Sequence, residues 1–326
     1  EFAAFFLQDH IFFGNCYQAN FDKKRLPELT GEDRPVLPLP ATARSCKRFS
    51  GFAFAADRNN EMRKGVRDTL IPLALFALSG ETTPEVLSEI DIHPVTKYPL
   101  DRISGFFRRG AKATQYGQPA QPTAIRTRTG INYATGTAQS EVLYSRQTLP
   151  EHASFWGRWW IDDQVWDAFE AFITQALEQD LIRMGNNRTR GFGRVSLNVQ
   201  AVEMDTREAL HARVEDFTNQ FKVAAQQANI ATPAPVYVPI TLTSDAILYD
   251  PLLRARLRVT SDDLNVYGLP GATLIFHAAD TRQIAGWSEL WGLPKADDWA
   301  IRMGSVFLFA LPHAEDTTFE HLLHLQ

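Results

Sequence analysis

The chain has 326 residues, of which 44% are hydrophobic and 22% charged, with a mean hydropathy of −0.23. That composition excludes a disordered tail, a fibrous repeat and a peptide-sized module, and the length leaves room for two domains. A formal charge of −5 argues against a uniformly basic polyanion binder, yet residues 42–67 carry seven basic and two acidic side chains, while residues 203–326 carry nine and sixteen. The longest apolar run, residues 70–78, is interrupted by Pro72 and falls far short of the roughly 20 residues a membrane helix needs, so no span is expected. Residues 1–8 show neither the basic start nor the apolar stretch of an export signal. Cys16 and Cys46 form no CxxC pair and have no histidine at metal spacing. The expectation is a cytoplasmic protein without a metal or cofactor.

In chain order, Phe5, Phe6, Leu7, Ile11, Phe12 and Phe13 read as a buried strand closed by Gly14. Prolines at 38 and 40 then lead into residues 41–48, expected to start a helix behind Pro40. That start would place Arg44, Lys47 and Arg48 where backbone N–H groups attract anions. Residues 102–128 hold six basic and no acidic side chains, Arg126 and Arg128 among them. Gly, Thr, Gln and Pro dominate residues 116–137, and strands are expected at 141–146 and 155–161, so this region reads as a long exposed hairpin or lobe. Asp162 and Asp163 offer an N-cap, and Val165, Phe169, Phe172, Ile173, Ala176, Leu177 and Leu181 recur at helical spacing until Gly185. After the loop GNNRTRGFGRV (185–195), Val195, Leu197, Val199 and Ala201 alternate as in a strand. A second helix is expected over 207–227, a Pro-rich joint at 232–235, and strands at 236–242, 255–259, 272–277 and 305–311. Strands and helices mix without a regular βαβ count, which favours an α+β protein with domains at 1–206 and 207–326.

The glycine loop lacks the Lys-Ser/Thr of a Walker motif, so nucleotide hydrolysis has no support. Gly191 and Gly193 permit positive φ and close backbone approach, while Arg188, Arg190 and Arg194 bring guanidinium groups suited to phosphate. Phe192 would either stack under a base or pack inward. The eight histidines are scattered, and only His10 or His152 offers a base for a metal-independent ribonuclease. The pairs Asp162-Asp163, Asp262-Asp263 and Asp297-Asp298 read as caps or loop acids. Tryptophans 156, 159, 160, 166, 287, 291 and 299 read mainly as core or subunit interface, with base stacking as the alternative.

The helix ending in Gly, the Arg-containing Gly-x-Gly loop and the expected strand after it resemble the glycine-rich loop of the CRISPR RAMP superfamily. LPATAR (39–44) resembles that family's Pro-Gly-Ser helix start, with Ala41 and Thr42 in place of Gly and Ser, and Ser45 in place of a later Gly. AIRTRTG (124–130), GTA (136–138), EVLY (141–144), GWSELWGLP (286–294) and MGSVFLF (303–309) are similar to segments of one subgroup. That subgroup is the Cas-five-group subunit of type III-D effectors, the Csx-ten type. The resemblance implies two ferredoxin-like, RRM-related domains without chemistry of their own. It implies a role in antiviral defence: binding the 5′ repeat tag of the crRNA beside the Cas-ten-type large subunit and a neighbouring Cas-seven-group backbone RAMP subunit, with target RNA engaged indirectly. The implied RNA contacts are Arg44, Lys47, Arg48, Arg126, Arg128, Arg188, Arg190, Gly191, Phe192, Gly193 and Arg194. A guide-processing ribonuclease and a protein-only scaffold are the rival readings.

Overall fold

A computed structural model describes residues 10–21, 35–48, 50–52, 65–79, 98–110, 116–120, 123–185, 188, 191–201, 206–288, 291–313 and 316–323. The strands before the first long helix pair are β1 (Ile11–Gln18), β2 (Val36–Pro38), β3 (Ala43–Cys46), β4 (Val66–Asp68), β5 (Leu100–Arg102), β6 (Phe106–Arg109), β7 (Tyr116–Gly117), β8 (Ala124–Ile131), β9 (Ala138–Thr148) and β10 (Phe155–Ile161). Helix α1 (Leu70–Ser79) lies between β4 and β5, and α2 (Asp163–Glu178) and α3 (Arg207–Gln227) follow β10. Then come β11 (Val236–Thr241), β12 (Leu248–Tyr249), β13 (Ala255–Arg256), α4 (Ser261–Val266), β14 (Thr273–Ala278), β15 (Thr281–Ile284), β16 (Trp287–Ser288), β17 (Leu293–Pro294), β18 (Asp298–Ile301), β19 (Val306–Leu311) and α5 (Asp316–Leu323). The protein is α+β, with small, mostly antiparallel sheets. Its packing divides it into two units, one of Glu1–Cys16 and Gly157–Met204, the other of Tyr17–Trp156 and Asp205–Gln326. The joint expected at 206/207 lies beside the boundary at 204/205, but the stretch expected as a first domain is shared by both units.

The larger unit is organised around β19. All six of its residues are buried, and alternation sends Phe307, Phe309 and Leu311 into one hydrophobic cluster and Val306, Leu308 and Ala310 into another. Strands β11 and β14 pair antiparallel with its two edges. Helix α3 packs on β11 and feeds both clusters, Leu210 and Val214 to the first and Phe221 and Ala225 to the second. Between these pairs, Thr218 Oγ1 accepts from the Tyr237 amide at 3.0 Å and donates to the Tyr237 carbonyl at 3.2 Å. The outer edge of β11 is thereby closed by a side chain of the covering helix, one way a sheet edge avoids unwanted pairing. Helix α5 packs on α3 and adds Phe319 and Leu322 to the first cluster.

In the smaller unit, α2 packs on the β1/β10 ribbon, with Phe169 and Ile11 buried among Trp159, Ile161, Val165 and Ile173. The Asp162 amide donates to the His10 carbonyl at 2.9 Å. Asp162 caps α2 as expected, its side chain accepting from the Gln164 amide.

Several elements differ from the sequence reading. Residues 43–46 form strand β3, not a helix: the Ala43 amide closes a turn onto the Pro40 carbonyl, and β4 and β5 pair with both edges of β3. Residues 195–201 are not a strand: among the described residues no strand pairs with them, and the isolated bridge between Arg183 and Arg194 ends just before them. Of 255–259, only Ala255 and Arg256 pair, with β12. Residues 70–79, read only as an apolar run, form α1, whose Pro72 lies in the first turn, where its missing N–H breaks no intrahelical bond. The Phe5, Phe6 and Leu7 portion of the first expected strand lies outside the described residues.

Replacing Thr218 by the isosteric valine leaves the buried Tyr237 N–H without its acceptor. Urea unfolding is expected to show a loss of about 1–3 kcal/mol with unchanged denaturant dependence; stability equal to wild type would show that α3 does not close this edge through Thr218.

Candidate nucleic-acid interface

In the smaller unit, the glycine loop begins where α2 ends. The Asp180 amide bonds the Leu177 carbonyl and the Leu181 amide the Ala176 carbonyl, with Asp180 at φ 52°, a Schellman-type stop in which aspartate occupies the usual glycine position. The Asp180 carboxylate accepts from Arg183 through two nitrogens at 2.8 and 2.9 Å and from Arg194 Nε at 3.2 Å. These bonds, Arg183's foremost, hold the Asp180 carboxyl below the usual aspartate range, so the anchor is intact at neutral pH and is released as pH falls through that lowered value. The Met184 amide bonds the Gly193 carbonyl at 2.9 Å, closing the loop's base. Gly193, at φ 81°, packs its α-carbon against the Met184 backbone where a Cβ would collide. Gly191, at φ 79°, has open space around it.

Around these glycines, Arg188 is exposed, Phe192 is half-buried and Arg194, just after Gly193, is exposed but tied to Asp180. Arg190 lies outside the described residues. The loop therefore divides the expected roles: Arg194 and Arg183 fix its base, and Arg188 stands on its exposed turn. Asp180, which gathers the two flanking arginines, was not singled out by sequence because a non-glycine helix stop carries no composition signal.

The remaining expected residues belong to the larger unit. Arg44 is central in the β4-β3-β5 sheet, where it faces Arg67 on one side and Arg102 on the other. The helix N-terminus expected to draw anions to Arg44, Lys47 and Arg48 is absent, since the backbone there is paired as a strand. Lys47 is exposed just beyond β3. Arg48 donates to the Tyr98 hydroxyl at 3.0 Å and lies 5.5 Å from that ring's centroid. Arg67 and Arg102 were missed as neighbours of Arg44 because strands of three residues give too little alternation to reveal register.

Arg126 and Arg128 lie on β8, which forms a hairpin with β9; no strand was expected at 124–131, and β10, the other strand expected in this region, pairs with β1 instead. They share one face with Tyr144, opposite Arg128, and Arg146, opposite Arg126. The other face carries Ile125, Thr127, Thr129 and Leu143, and Ile125 is 76% exposed. Among the described elements, β8 and β9 pack substantially only on each other.

His10 Nδ1 lies 3.2 Å from Asp162 Oδ2, and His152 is exposed beside Glu151. No group of three or more metal-ligating side chains occurs among the described residues. No helix among them is long and apolar enough to cross a membrane. Trp159 packs edge-on against Phe13 and Phe169, while Trp160, Trp287, Trp291 and Trp299 are exposed. Asp263 accepts from the Thr260 amide and pairs with Arg256, and Asp298 accepts from Tyr249, so these acids serve local structure. No protein-family model matches the chain, and no curated protein matches it.

Glycine at position 180 suits the left-handed backbone and removes the carboxylate with its methylene. Asp180→Gly is expected to accelerate tryptic cleavage within residues 183–194 several-fold, with little change in thermal midpoint because exposed ion pairs contribute little. Equal cleavage rates would mean that Asp180 does not anchor the loop.

Proposed function

We propose that this chain is a non-catalytic RNA-binding subunit of the CRISPR RAMP type, similar to the Cas-five-group member of a type III-D effector. In this reading its domains are variants of the ferredoxin-like, RRM-related fold. Its ligand is the single-stranded 5′ repeat tag of a crRNA, held beside a Cas-ten-type large subunit and a Cas-seven-group backbone neighbour. The observation that carries the proposal is the loop at residues 185–194. Gly185, Gly191 and Gly193 take positive φ and Arg188 is exposed, while the run from 183 to 194 holds four basic and no acidic side chains.

The mechanism is electrostatic clamping with base stacking. Guanidinium groups pair with phosphates and release counterions, so affinity falls steeply with salt. Unstacked bases of single-stranded RNA lie on aromatic or arginine planes, for which Phe192 is the loop's candidate. The Arg126, Arg128 and Arg146 face of the hairpin supplies further positive charge in the larger unit. The acidic stretch 203–326, with Trp287, Trp291 and Trp299 exposed, supports a role for this part of the chain in contacts with protein neighbours.

Replacing Arg188 and Arg190 together by alanine is expected to weaken guide RNA retention and flatten its salt dependence, while circular dichroism and thermal midpoint stay at wild-type values. Unchanged affinity and slope would contradict the proposal. One contact favours a second reading: an imidazole held by a carboxylate, as His10 is by Asp162, is the arrangement that orients a general base. Incubation of the purified chain with repeat RNA and no metal separates the two, since a binder leaves the strand intact and a ribonuclease yields fragments that His10→Ala abolishes.

A further inference from the structure

We propose that the outer face of the β1/β10 ribbon, where Phe12, Trp160 and Arg158 lie, is a stacking platform for bases of single-stranded RNA. This platform rests on the RNA-binding reading above and gives that ligand a second site in the smaller unit, distinct from the glycine loop. Sequence placed Phe12 in a buried strand and left Trp160 between interface and stacking. Only pairing into a two-stranded ribbon gives the two rings a shared outer face.

The inner face is fixed by its contacts with α2. Phe13 and Trp159 meet edge to face with centroids 5.0 Å apart, Trp159 meets Phe169 in the same manner at 6.0 Å, and Ile11 and Ile161 join the same cluster. Successive side chains of a strand leave by opposite faces. Phe12, between Ile11 and Phe13, and Trp160, between Trp159 and Ile161, therefore leave by the other face, where they are 55% and 45% exposed. Both lie between the same two cross-ribbon contacts. At one, the Asp162 amide donates to the His10 carbonyl; at the other, a Cβ added to Gly14 would stand 2.5 Å from the Arg158 carbonyl oxygen. Gly14 thus allows the strands to approach closely and, without a side chain, leaves flat backbone beside Phe12. Arg158 shares the face of Trp160, two residues away, and is exposed.

Charge selects the occupant of this face. β1 and β10 contain a single charged side chain between them, Arg158, and no acid. The acids Asp163, Asp167, Glu170 and Glu178 are carried by α2, which covers the inner face. Two exposed rings beside a guanidinium and no carboxylate suit a polyanion whose bases present π-faces. The guanidinium serves such a ligand in two ways, pairing with phosphate or lying on a base. The glycine loop begins at the far end of α2, a helix of 16 residues and so about 24 Å long. Platform and loop therefore take different nucleotides of one strand.

Binding of single-stranded oligoadenylate to the full chain, read by anisotropy over a salt series and by tryptophan fluorescence, tests the platform. Phe12→Ala with Trp160→Ala is expected to weaken binding roughly tenfold with the salt slope unchanged, because stacking releases no counterions. Arg158→Gln is expected to lower the slope. Trp160→Phe keeps most of the affinity but loses part of the RNA-induced quenching, whereas Trp160→Leu, apolar without a π-face, binds as weakly as alanine. If the double aromatic variant binds like wild type while Arg188→Ala/Arg190→Ala still binds weakly, the platform is overturned and the loop reading stands; a face used only by a protein neighbour gives this result. If wild-type protein holds no RNA, both fall. Should the double variant fail to fold, the single variants decide: equal affinity for Trp160→Leu and Trp160→Phe overturns the platform.

Discussion

A strand buried on both faces and paired on both edges constrains every residue it contains, and β19 is such a strand. Each position from Val306 to Leu311 must be apolar, because a polar side chain there would lose hydration without a partner. Its neighbours inherit the constraint: β11 must present Val236 and Val238 to one cluster and Tyr237 to the other. Helix α3 must then serve both clusters while satisfying the outward backbone groups of β11. Thr218 does the last of these because its hydroxyl both donates and accepts. Dry packing is concentrated in this assembly, and many of the larger unit's charged side chains are displayed on smaller sheets and turns.

Those small sheets tolerate what a core would not. Arg44 stands between Arg67 and Arg102, and Arg126 stands opposite Arg146, so like charges meet across neighbouring strands. In the smaller unit Asp180 draws Arg183 and Arg194 together, and Arg188 is exposed. A net charge of −5 therefore describes the average and not the surfaces. Sign is sorted by strand face and by segment.

Much of the secondary structure was legible wherever one periodicity ran long enough. Helices at 163–178 and 207–227 and strands at 236–241 and 306–311 emerged close to their observed limits because their apolar residues recur at 3.6 or fill every position. Helix 70–79 did not, since Pro72 reads as a breaker unless its place in the first turn is known. Residues 43–46 were misread for the converse reason: a proline-led start suits a helix, and only pairing with the distant β4 and β5 makes a strand there. Val195, Leu197 and Val199 alternate correctly but find no neighbouring strand among the described residues. At the candidate site, the loop glycines and arginines were visible as composition. The division of labour among Arg183, Arg188 and Arg194 depends on Asp180, a residue whose left-handed backbone no local signal announces.

Photo-cross-linking of the chain to thiouridine-substituted single-stranded RNA, followed by peptide mass spectrometry, addresses the central claim directly, because it reports where the strand lies and not only how tightly it is held. The account predicts cross-linked peptides from residues 183–194 and from the segments around Phe12 and Trp160. Cross-links confined to the acidic residues 236–326, or none at all at a concentration where RNA is bound, would contradict it.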